Sequence, residues 1–68
     1  MLTITKIEGR TPATASYVTG YFITDGYTYF SYTRELGFIE RNDIDRAKLD
    51  KHIENMKNEG FTITIQEV

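Results

Sequence analysis

Apolar and polar residues begin by alternating along Leu2-Thr3-Ile4-Thr5-Lys6-Ile7, and the β-branched side chains among them suit a pleated ribbon, so residues 2–7 are predicted to form a strand. Gly9-Arg10-Thr11-Pro12 breaks the pattern: Pro12 cannot donate to a ladder, and a loop follows. Tyr, Val, Thr, Phe and Ile dominate from about residue 15 to residue 24 and again over residues 27–33, which predicts two further strands. Asp25-Gly26 lies between them. Asp tolerates the positive φ of a type I′ turn and Gly adopts it freely, so a two-residue hairpin is expected there. Over residues 34–42 the pattern is ambiguous, and Gly37-Phe38-Ile39 reads as either a short strand or an extended connection.

The period then changes. Leu49, Ile53 and Met56 recur at helical spacing with charged residues between them, predicting a helix over about residues 45–59. Asp43 or Asp45 can cap its start, where a carboxylate meets free backbone N–H groups, and with Asp45 as the cap Ile44 and Leu49 take the positions of a hydrophobic staple. Gly60 suits a left-handed C-terminal cap. Phe61-Thr62-Ile63-Thr64-Ile65-Gln66 alternates cleanly, predicting a last strand over residues 61–67. The expectation is one α+β domain spanning residues 1–68, in β-β-β-α-β order, with a mostly antiparallel sheet of about four strands and the helix on one face. A right-handed crossover from the third strand through the helix to the last follows if those two strands are parallel in one sheet.

Counting outward from a two-residue turn sets Tyr21 against Phe30, Phe22 against Tyr29 and Ile23 against Thr28. Tyr17, Tyr21, Ile23, Phe30 and Tyr32 then share one face, while Val18, Phe22, Tyr27 and Tyr29 share the other with Gly20 and Ser31. One helix can shield only one of these aromatic faces. The Tyr21/Ile23/Phe30 face is read as core, which leaves Phe22, Tyr27 and Tyr29 as the expected interaction surface.

Composition narrows the function classes. Aromatic side chains make up 13% of the chain but crowd between Tyr17 and Tyr32, where they can stabilise a sheet, bind protein or stack bases. Ten acidic residues against 8 basic ones give a formal charge of −2, and only Lys6, Arg10 and Arg34 lie near these strands, so single-stranded nucleic acid is the alternative partner and not the favoured one. Without cysteine there is no disulfide framework, and with His52 as the lone histidine no metal or cofactor is expected. No run approaches a membrane span and Met1–Lys6 lacks the form of a signal peptide, so a cytoplasmic chain is the expectation. Abundant Ile, Tyr and Lys beside few Ala fit an AT-rich bacterial or phage genome.

Candidate chemistry is sparse. His52 borders the apolar stripe of the helix with no nucleophile or orienting acid implied nearby, and no catalytic residue is assigned. Asn42-Asp43-Ile44-Asp45 with Asp50 lacks the mid-loop glycine and closing Glu of a calcium loop, so helix capping accounts for these acids better. Scattered glycines offer no phosphate cradle. The expectation is a small non-enzymatic domain that binds a protein partner, or a second copy of itself, through an aromatic sheet face or a sheet edge.

Overall fold

The computed structural model describes residues 1–68 apart from 11, 13 and 14, so part of the loop expected at Pro12 lies outside the described residues. Its elements are β1 (Thr3–Gly9), β2 (Val18–Thr24), β3 (Tyr29–Thr33), β4 (Gly37–Glu40), α1 (Arg46–Asn58) and β5 (Thr62–Glu67). They form one five-stranded sheet in the order β4-β3-β2-β1-β5, every neighbouring pair antiparallel. The ambiguous Gly37 segment is thus a strand, and the expected four strands become five. The crossover is also corrected: β5 pairs antiparallel with β1 and so runs opposite to β3, not parallel to it.

The β2–β3 turn differs from the two-residue form. Among the described residues only glycines have a positive φ, so Asp25 does not adopt the type I′ conformation. Its carboxylate instead accepts the backbone N–H groups of Tyr27 and Thr28, both at 2.8 Å, and Gly26 at φ +102° donates its N–H to the Thr24 hydroxyl. This side-chain turn lengthens the loop to residues 25–28, and Thr24 pairs with Tyr29, Phe22 with Ser31 and Tyr21 with Tyr32. Relative to the expected pairing the register has moved by two residues. A slip of one would have exchanged the faces, whereas a slip of two leaves every side chain on the face it was given.

Helix α1 follows its sequence signals closely. Asp45 caps it, accepting the Lys48 N–H at 2.9 Å. At the far end the Gly60 N–H reaches the Lys57 carbonyl at 3.1 Å and the Phe61 N–H reaches the Met56 carbonyl at 3.1 Å, with Gly60 at φ +102°. That pair of bonds is a Schellman motif, and it turns the chain directly into β5. Leu49 is buried, with Ile53 and Met56 half-buried on the same stripe.

The helix chooses the face opposite to the one expected. The His52 ring sits edge-on to Phe22 with centroids 5.2 Å apart, and Tyr29 is only 9% exposed. With them on the covered face lie Thr5, Ile7 and Thr24, all buried, while Phe61 is buried where the helix hands over to β5. Room is the physical reason. On this face the central rows carry small side chains, with Ser31 beside Phe22 and Gly20 beside Ile7, whereas large side chains fill the middle of the opposite face.

Candidate interaction face

Paired residues share a face, so each row across the sheet can be followed strand by strand. On the face away from the helix one row runs Gln66–Ile4–Ile23–Phe30–Glu40, and the next runs Thr64–Lys6–Tyr21–Tyr32–Phe38. The second contains a ladder of rings. Tyr21 and Tyr32 have centroids 6.0 Å apart with planes tilted by 55°, and Tyr32 and Phe38 are 4.7 Å apart at 49°. Such spacing and tilt belong to attractive ring pairs, each contributing about 0.5–1.5 kcal/mol beyond the area it buries.

These residues form a block with an apolar middle and a polar margin. Ile4, Tyr21, Ile23, Phe30 and Tyr32 are half-buried by one another, Phe38 is 68% exposed, and five of the six line a shallow depression of about 270 Å³. At the margin Lys6 Nζ lies 3.3 Å from the Glu8 carboxylate, which also accepts the Tyr17 hydroxyl. The Tyr17 bond, with the Lys6 cation second, holds the Glu8 carboxyl below the ordinary carboxylate range and raises Tyr17 in turn. The one cation among these rows is thereby paired, and Glu40 at the far edge makes no ion pair among the described residues.

The three residues expected to form an interaction surface are not brought together. Phe22 lies against His52, Tyr29 is buried beneath the helix, and Tyr27 stands 92% exposed at the turn, outside any strand. The assignment of core and outer faces is therefore reversed: Tyr21, Ile23 and Phe30 are on the open side. Phe38, the most exposed ring of the ladder, comes from the ambiguous segment and was missed. The usable signal was Gly20 with Ser31, small residues that mark the face a helix can approach.

A second apolar recess, about 350 Å³, opens between α1 and β4 on the covered face. Gly20 and Ser31 contribute to its floor and Ile39, Leu36, His52 and Met56 to its sides. Ser31 and His52 both line it, yet no hydrogen bond joins them among the described residues and no carboxylate lines it, so the groups for a relay of nucleophile, base and acid do not converge. Among the described residues no three His, Asp or Glu side chains converge to hold a metal ion, and no helix is long and apolar enough to cross a membrane.

Compared with protein-family models, with curated proteins and with solved structures, the chain matches none.

Proposed function

We propose that this chain is a non-enzymatic protein-interaction domain that binds with its open sheet face. The observation that carries the reading is the Tyr21–Tyr32–Phe38 ladder flanked by Ile4, Ile23 and Phe30, on the side of the sheet away from the single helix. An apolar block with a polar margin is the anatomy of a protein interface, and Tyr is among the residues enriched there. Base stacking would use the same rings, but the sole cation in these rows is paired with Glu8 and Glu40 stands on the same face, so phosphates would meet little compensating charge.

Replacement of Phe38 by the photoreactive p-benzoylphenylalanine tests the reading in cells. Glu54, exposed on the helix, is the control position. Position 38 is expected to yield a discrete protein adduct that position 54 does not. Equal labelling from both positions overturns the proposal. Salt-sensitive binding of a single-stranded oligonucleotide that is lost in Tyr32→Ser would replace it with the nucleic-acid reading.

A further inference from the structure

We infer that the partner on this face is a second copy of the chain, packed sheet on sheet about a two-fold axis that runs parallel to the strands between β2 and β3. The inference rests on the open face being an interaction surface and adds what occupies it and how.

The layer arithmetic points to a second copy. A sheet is stable when both of its apolar faces are covered, and this chain has a helix for one. Its own core is thin: Ile7, Tyr29, Leu49 and Phe61 are the buried apolar residues among those described. Two sheets packed at about 10 Å would give a helix–sheet–sheet–helix sandwich in which each ladder covers the other. Four overlapping strands of 7, 7, 5 and 4 residues, at about 4.8 Å spacing and about 3.3 Å per residue, give a flat footprint of roughly 350 Å² per copy. The total of about 700 Å² is below the standard size of a specific interface, so the dimer is a weak one.

Charge then selects the axis. A two-fold axis across the strands and lying over the ladder row would set Lys6 against Lys6; lying over the neighbouring row, it would set Glu40 against Glu40. Placed between the two rows, it would press each Phe38 ring onto a Glu40 carboxylate. Each arrangement repels or desolvates a charge without a partner. An axis along the strands keeps the rows in step. Midway between β2 and β3, which is the centre of the apolar block, it sets Tyr21 over Tyr32, Ile23 over Phe30 and Ile4 beside Glu40, the one carboxylate it brings within reach of a cation. Lys6 on β1 then meets Phe38 on the other copy's β4, a ring face suited to a cation, and lies one row from that copy's Glu40. Symmetry makes this Lys6–Glu40 contact twice, once at each side of the ladders, with each Lys6 shared between Glu40 of the other copy and Glu8 of its own strand.

Sedimentation velocity from about 5 to about 500 µM tests the inference, a range wide enough to reveal a weak dimer. The wild-type chain is expected to show a monomer–dimer equilibrium. Tyr32→Asp should weaken it about a hundredfold, since the residue is central and apolar, with circular dichroism confirming that the monomer stays folded. Lys6→Glu and Glu40→Lys should each weaken it about tenfold, and the double exchange should restore most of the loss. A wild-type monomer across the whole range overturns the second copy as occupant; a discrete adduct to a different protein at position 38 would then leave the interaction face standing. A dimer indifferent to Tyr32→Asp also overturns the inference, because its interface lies elsewhere. A dimer broken by Tyr32→Asp but not restored by the charge exchange overturns the two-fold axis assigned here.

Discussion

On one face of the sheet Thr5, Ile7, Thr24 and Tyr29 are shut off from water beneath the helix; on the other, Ile4, Tyr21, Ile23, Phe30 and Tyr32 lean on one another and on the exposed Phe38. The open face has the larger side chains, yet it is the less buried. Apolar bulk alone does not decide where a core forms. Above Gly20 and Ser31 the covered side keeps an open recess between helix and sheet, and a Cβ added at Gly20 would come no nearer than 3.6 Å to a neighbouring atom, with no helix atom within 4 Å. The aromatic rows fill their own layer and present a finished surface, suited to another flat face instead of a helix.

The contrast is broken most directly by truncation on the covered side. Leu49→Ala removes the buried residue of the helix stripe and is expected to cost about 3 kcal/mol, read from urea unfolding. Ile23→Thr on the open face, measured at low micromolar concentration to keep association out, should cost less than about 1 kcal/mol. Equal losses would mean that the open face stabilises the monomer as much as the covered one does.

Between these lies Asp45→Ala, which deprives the Lys48 N–H of its cap and should destabilise the helix, and with it the cover, by about 1 kcal/mol. The smallest effect is in acid. Arg41 grips Asp43 through two bonds at 2.9 and 2.8 Å and holds its carboxyl at about 2, below its ordinary 3.8. Because the folded value is depressed, the contribution to stability is present above the unfolded value and is lost as the pH falls from about 4 through about 2. NMR titration of the Asp43 carboxyl should give that low midpoint, and Arg41→Gln should return it toward the ordinary value. The pair sits where the chain leaves the sheet for the helix.

Much of this was legible in the chain. The helix announced itself at both ends through Asp45 and Gly60, alternation marked β1 and β5, and counting outward from the Asp25-Gly26 turn sorted the residues of β2 and β3 onto faces. Even the misjudged turn left that sorting intact, because Asp25 lengthened the loop by a whole pleat. The strand at Gly37 was obscured by its brevity and its flanking turn: Gly37 adopts φ +71° to close the tight return from β3, a local role that hides the strand it opens. Which face the helix covers was not written in apolar pattern, since both faces carried it. It was written in the side chains that are missing, at Gly20 and Ser31.

The strand order also has a kinetic consequence. The β2–β3 and β3–β4 hairpins close over a few residues, but β5 must return past the helix to pair Glu67 with Thr3 at the opposite end of the chain. Closing so long a loop is entropically costly, which places this zipping late among the folding events. Until it happens the outer edge of β1 offers unpaired backbone groups to any free β5, including one from a neighbouring molecule, so the rate at which the last strand docks governs exchange of strands between chains.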